Sequence, residues 1–241
     1  MPGRDIVVVG FSAGGMDPLM QLVAVLPPDF PASIFVVHHF PAQSVSALPS
    51  ILNRAGPLHA SQPPDGERIR PGRIYAARPN RHLLLWDGRI RLTIGPREHG
   101  HRPAIDPLFR SAARSYGPRV IGVILSGTLD DGTAGLLAVK GAGGVAVVQD
   151  PAQAAYPGMP ASAIQHVPVD HVVLPSQLGT LVDRLVREPV AEPPDLTRGP
   201  GAQDAREPSL VGTAALRGEN PPGREAVDVK EPDRQVGAKR T

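Results

Sequence analysis

The chain has 241 residues and no cysteine, which excludes a disulfide scaffold, a cysteine-ligated metal centre and a thiol nucleophile. Its 25 Lys and Arg against 23 Asp and Glu leave a formal charge of +2, and only 4% of residues are aromatic, so the basic stripe and stacking residues of a nucleic-acid binder are missing. Hydrophobic residues at 41% suffice for a core, while 26 glycines and 29 prolines predict many turns.

Residues 5–10 (DIVVVG) form a short β-branched run ending in glycine, the pattern of a buried parallel strand. Met16, Leu19, Met20, Val23 and Leu26 follow at helical spacing, Pro18 is tolerable in a first turn, and Pro27-Pro28 stops the helix. Residues 34–37 read as a second buried strand and 45–52 as a helix weakened by Pro49. Between 73 and 94 the texture changes. Residues 73–76, 82–86 and 89–94 read as short strands, and Asp87-Gly88 marks a hairpin, which suggests an antiparallel insertion.

Parallel logic then resumes. Residues 105–116 predict an amphipathic helix, 120–125 (VIGVIL) a central strand, 132–140 a helix and 145–149 a strand. A short helix at 160–165, a strand at 171–174 and a closing helix at 176–187 complete the series. This alternation predicts an α/β fold: a doubly wound, mostly parallel sheet flanked by helices, with a small antiparallel hairpin insertion. The ordered domain is expected over 1–187. From 188 to 241 Pro, Gly and charge dominate without apolar period, which predicts a disordered tail. There is no signal-peptide pattern and no apolar run of membrane-spanning length, so a soluble, cytoplasmic protein without direct membrane insertion is expected.

Ligands of such sheets meet the carboxyl ends of the strands. The first strand is followed by Gly10-Phe11-Ser12-Ala13-Gly14-Gly15, the second by His38-His39-Phe40-Pro41, and the central one by Ser126-Gly127-Thr128-Leu129-Asp130-Asp131-Gly132. A serine, a histidine and an aspartate thus share one edge, a set suited to acyl transfer. Ser12 stands at a sharp strand-to-helix turn, where the helix N-terminus favours a developing oxyanion. The same glycines also suit a phosphate cradle, as in a nucleotide-binding oxidoreductase, although no acidic ribose ligand ends the second strand. Each residue has a plainer reading as well. Ser12 could cap a helix, His39 could be a hydrogen-bonded strand-end histidine, and Asp131 could cap the helix it precedes. His99-Gly100-His101 could ligate a metal, but no second ligand cluster accompanies it, and no metal is expected. Arg78, Arg81 and His82 form a basic cluster that is either a solvated face or a greeting for an acidic surface. Met16, Met20 and Phe109 read as core.

Together these motifs resemble the catalytic domain of the chemotaxis protein-glutamate methylesterase family, the CheB type, over residues 5–186. The serine motif Gly10–Gly15, the histidine motif Val36-Val37-His38-His39-Phe40-Pro41 and the aspartate motif Ile124–Gly132 occur in family order. The resemblance selects His39 over His38, because the family's histidine stands two residues before proline. It selects Asp131 over Asp130, because the family's aspartate immediately precedes glycine. Tyr75–His82, Asp106-Pro107-Leu108-Phe109 and Gly158-Met159-Pro160 resemble further family segments.

The resemblance implies hydrolysis of glutamyl methyl esters on the cytoplasmic helices of methyl-accepting chemotaxis receptors, and in some members deamidation of receptor glutamines, with no cofactor. Ser12, His39 and Asp131 would be catalytic. Backbone N–H groups near Ala13, His39 and Thr128 would hold the oxyanion. Ala13 and Thr128 depart from the threonine and methionine usual in the family, which bears on rate and substrate preference. The first strand begins at residue 5, so control by an N-terminal receiver domain is not expected. Loss of catalysis, leaving a chemosensory scaffold, is the rival reading. Oligomeric state is open.

Overall fold

The computed structural model describes residues 3–39 and 46–190. Seven parallel strands form the central sheet in the order β3-β4-β2-β1-β7-β8-β9, and β5 and β6 form a separate antiparallel pair. From β1 (Ile6–Phe11) the chain builds outward through β2 (Ser33–His38), β3 (His59–Ser61) and β4 (Arg73–Ala76). It then returns to the other side of β1 with β7 (Val120–Ile124), β8 (Val145–Gln149) and β9 (His171–Val173). The order therefore reverses between β1 and β7, and a crevice opens at the carboxyl ends of those two strands.

Alternation along β1 feeds two cores. Val7, Val9 and Phe11 face one, packed under α1 (Met16–Ala24), α2 (Leu48–Ala55) and α6 (Pro175–Arg187). Ile6 and Val8 face the other, under α3 (Ile105–Tyr116), α4 (Thr133–Gly141), α5 (Gly158–His166) and the hairpin β5 (His82–Trp86) and β6 (Arg89–Thr93). Every residue of β1, β7 and β8 is buried, which is why these strands read as unbroken apolar runs.

Four expectations shift. β4 belongs to the parallel sheet rather than to an antiparallel insertion, pairing with both β2 and β3. Its buried Ile74 and Tyr75 enter opposite cores, as a two-sided strand requires. The edge strand β3 has no apolar run to announce it. It is held instead by the Asn53 side chain, which donates to Ala60 O at 2.9 Å and accepts from Ala60 N at 2.8 Å. Helix α2 begins at Leu48, so Pro49 falls in the first turn, where a missing N–H costs nothing; the expected start at Val45 lies outside the described residues. Met16 is partly buried and packs against the core as expected, Met20 is partly buried, and Phe109 is fully buried.

The β5–β6 hairpin turns at Asp87 and Gly88, both with positive φ (48° and 69°), as expected of a two-residue loop. Its Leu83, Leu85 and Ile90 are buried, and Leu85 is tied to α3 through Ser111 and Ser115. The basic cluster beside it dissolves into separate roles. Arg78 donates to Pro63 O and Gln62 O. His82 is buried, bonding Pro96 O through Nε2 and accepting from Ala104 N through Nδ1, and Arg81 is exposed. No helix among the described residues is long and apolar enough to cross a membrane. Most of the expected tail, from residue 191, lies outside the described residues.

Candidate active site

Ser12 follows β1 at the crevice, His39 follows β2, and Asp131 closes the loop after β7. The structure joins His39 and Asp131 directly: Nε2 lies 2.7 Å from Asp131 Oδ2, with both side chains almost wholly buried. A carboxylate accepts only, so His39 donates from Nε2, and in the neutral imidazole that leaves the lone pair on Nδ1. His38 does not share this task. Its ring stacks on Phe11 at 4.6 Å, and burial, then the neighbouring His39, lower its pKa to about 4. Ser12 stands on the same sheet edge but is not joined to this pair by any hydrogen bond among the described residues; its N–H donates to Ser126 O at 3.0 Å, which ties the serine turn to the loop after β7. Among the described residues Ser12 Oγ has no hydrogen-bond partner.

Asp131 does not cap the helix it precedes. It accepts from Ile105 N at 2.7 Å and Asp106 N at 3.0 Å, the first N–H groups of α3. Asp106 in turn reaches the start of α4, where its Oδ1 accepts from Gly132 N at 3.0 Å and Gly135 N at 2.6 Å. Two buried carboxylates thus exchange helix caps. Burial alone would raise the Asp131 pKa, but the hydrogen bonds from His39, Ile105 and Asp106 outweigh it and hold the carboxyl below its ordinary value. For Asp106 burial prevails, against the Gly135 N–H and His99, and its pKa is raised.

The loop at residues 98–101 supplies both remaining histidines. Glu98 and His101 pair across His99 and Gly100, which have φ of 50° and 76°. His101 stacks face to face on His39, with centroids 3.8 Å apart and planes 4° from parallel. Burial, then the neighbouring His39, lower its pKa. His99 Nε2 lies 3.0 Å from Asp106 Oδ2, and its Nδ1 lies 3.3 Å from Asp130 Oδ1. Burial acts to lower the His99 pKa, but the surrounding aspartates Asp131, Asp106 and Asp130 raise it overall. His99, Asp106 and Asp131 bring potential metal-ligand atoms within 4.8 Å of one another. These carboxylates are already committed to backbone N–H groups and imidazoles, so the histidine pair of the sequence serves two different partners.

The serine turn is clamped by Ser126, which lies inside the aspartate motif, and through it by Gln149, which carries no sequence signal. Ser126 Oγ donates to Ala13 O at 2.8 Å and accepts from Tyr156 N at 3.0 Å, while Ser126 N donates to buried Gln149 Oε1 at 2.9 Å. Gly127 is required by close approach: a Cβ there would lie 2.1 Å from Met159 Sδ and 3.0 Å from Ser12 Cβ. Gly14 combines a φ of 73° with Ala155 and Tyr156 packed against it. One expected oxyanion donor is corrected. The His39 N–H donates to Phe11 O at 3.4 Å, because the β1–β2 ladder runs one residue past the strands. The Ala13 and Thr128 N–H groups have no hydrogen-bond acceptor among the described residues.

Residues 7–182 match the family model described as CheB methylesterase. The chain belongs to the CheB methylesterase family. Within that family it is similar to protein-glutamate methylesterase/protein-glutamine glutaminase 2 of Anaeromyxobacter dehalogenans, 38% identical over 76% of this chain and 54% of that protein. It is equally similar to a putative protein-glutamate methylesterase/protein-glutamine glutaminase of Leptospira interrogans, 38% identical over 75% of this chain and 94% of that protein. The chain therefore spans about half the length of the first of these relatives and nearly all of the second. The crystal structure of the Thermotoga maritima CheB methylesterase catalytic domain superposes with a TM-score of 0.73 at 33% identity, covering 77% of this chain and 100% of that domain. That CheB likeness bears out the expected fold.

Proposed function

We propose that the chain is a serine-type protein-glutamate methylesterase acting on the cytoplasmic helices of chemotaxis receptors, and hence a cytoplasmic enzyme. The His39–Asp131 contact on the same sheet edge as Ser12 carries this reading. Ser12 Oγ attacks the ester carbonyl while His39 Nδ1 takes its proton, and Asp131 holds Nε2–H and balances the imidazolium that forms. The Ala13 and Thr128 N–H groups, without an acceptor among the described residues, would meet the oxyanion. The intermediate collapses, His39 returns the proton to the methoxide, and methanol leaves. His39 then activates the water that releases the glutamate from Ser12. Glutamine side chains would follow the same steps with ammonia leaving, as the names of the relatives suggest.

The test is methanol release from methylated chemoreceptor membranes, together with fluorophosphonate labelling. Wild type is expected to release methanol and to label at Ser12, and Ser12→Ala to do neither. An unlabelled wild-type Ser12 and no release across a panel of receptors would favour the scaffold reading. Equal release by Ser12→Ala would overturn the assignment of the nucleophile.

A further inference from the structure

Asp106 and Asp131 bring two carboxylates into one nearly water-free corner of the site, with side chains 2% and 3% exposed. Like charges in such a setting oppose one another's ionisation unless a cation stands with them. His39 is not that cation in the resting enzyme, because it has to be neutral to accept the serine proton. Arg110 stands 3.9 Å from Asp106 Oδ2, and Glu98 already engages its guanidinium at 2.7 and 2.8 Å.

His99 is placed for the part. Its Nε2 lies 3.0 Å from Asp106 Oδ2 and 4.0 Å from Asp131 Oδ1, and its Nδ1 lies 3.3 Å from Asp130 Oδ1. A carboxylate only accepts, and a neutral imidazole has one N–H and one lone pair. A neutral His99 would turn its lone pair towards one of these carboxylates, whereas the imidazolium donates to both. The aspartates also favour the charged ring against its burial. Of the other groups on its loop, Glu98 faces Arg110, His101 lies on His39, and Arg97 donates to Gly100 O. The backbone presents the ring rigidly: His99 has φ 50°, and Glu98 and His101 exchange hydrogen bonds of 2.8 and 3.1 Å across it.

We propose that His99 is a positioning residue for the hydrolysis: as an imidazolium it ties the loop of Asp130 and Asp131 to Asp106 on α3, and it stands as a counter-charge on the Oδ1 side of Asp131 while Oδ2 holds His39. This rests on the methylesterase reading above. Asp131 then stays ionised beside a second buried carboxylate. Removing the His99 charge favours the protonated forms of the coupled His39–Asp131 pair, so the active form should be lost at a higher pH.

The test uses His99→Asn, which tolerates the left-handed conformation and keeps one donor for Asp106 but carries no charge, and Asp130→Asn, which removes one anchor of the ring. Methanol release from methylated receptor membranes is read as kcat and KM, beside the rate of fluorophosphonate labelling across pH 5–9 and the melting temperature. His99→Asn is expected to lower kcat and labelling together about tenfold, with KM within about twofold of wild type. Its acid limb should move up by roughly half to one pH unit, as loss of a cation about 4–7 Å away predicts. Asp130→Asn should do the same more weakly. Long-range 15N spectra of the wild type at pH 7 should show both ring nitrogens of His99 protonated, which a merely structural role does not require. A neutral His99 ring, or an acid limb unmoved in His99→Asn, overturns the proposal, as does kcat within about twofold of wild type. A fall in kcat that only follows a fall in melting temperature, with the limb unmoved, marks a structural role instead. If wild type labels at Ser12 yet releases no methanol from any receptor, the methylesterase reading has failed, and the labelling rates and spectra still decide the role of His99.

Discussion

Asp106 carries the sharpest energetic prediction. Its side chain is 1% exposed, and its Oδ1 is the acceptor for Gly132 N and Gly135 N at the start of α4. Asp106→Ala removes that acceptor and leaves two N–H groups without partners, where water has little access. A buried donor left unsatisfied costs about 1–3 kcal/mol, so the pair together should cost about 2–6 kcal/mol. For a domain of about 150–250 residues, 1 kcal/mol moves the melting temperature by roughly 2–4 °C, which places the expected fall at about 4–24 °C. Asp106→Asn keeps an oxygen for both donors and gives up a charge that burial already disfavours, so its fall should be only a few degrees. Thermal and urea unfolding of the three proteins measure this directly. Below the melting range, Asp106→Ala should also label more slowly at Ser12, because the loop that carries Asp131 has lost its anchor on α3. If Asp106→Ala melts with wild type, or if Asp106→Asn falls as far as Asp106→Ala, the exchange of caps does not hold these helices together.

Gly127→Ala should destabilise by about 1–3 kcal/mol, because its Cβ would sit 2.1 Å from Sδ of fully buried Met159, and it should slow labelling of Ser12; normal stability and labelling would show that Met159 moves freely. His38 gives a pH dependence of definite sign. Its native pKa near 4 lies below the ordinary 6.5, so the unfolded chain takes up the proton first as pH falls, and the stability present above 6.5 is lost progressively towards 4. Between pH 7 and 5 this should amount to about 1–2 kcal/mol, allowing for partial exposure of the ring, and His38→Gln should remove that share of the slope in urea midpoints. Parallel slopes for the two proteins would contradict it.

Strands β1, β2, β7 and β8 were legible because burial on both faces leaves an uninterrupted apolar run, and the hairpin because Asp87-Gly88 suits positive φ at both turn positions. Strand β3 was not, since its pairing is bought by a side chain, Asn53, rather than by its own composition. Strand order alone put a serine, a histidine pair and an aspartate pair on one sheet edge, and the family resemblance chose His39 over His38 and Asp131 over Asp130. What holds them could not be read this way. The bonds from Asp131 and Asp106 to helix termini span 25 to 29 residues, and Ser126 and Gln149 look like ordinary polar residues at strand ends. Asp131 illustrates the difficulty: an aspartate before a helix reads as the cap of that helix, and only the packing of α3 against α4 turns it to the neighbouring one. His99 and His101 look alike as a His-x-His pair, yet the turn between them sends one to the aspartates and the other onto His39.

The site divides into a rigid side and an open side. On the rigid side the exchanged caps fix the Asp131 carboxylate, His101 covers the ring of His39, and Ser126 ties down the serine turn. On the open side Ala13 and Gly14 are exposed. Among the described residues, a cavity of about 560 Å³ lies against the hairpin and one of about 400 Å³ beside α6, and neither is lined by Ser12, His39 or Asp131. Because Asp131 is anchored by the first N–H groups of α3, the geometry of its contact with His39 is set by folding and does not wait for a bound molecule to assemble it.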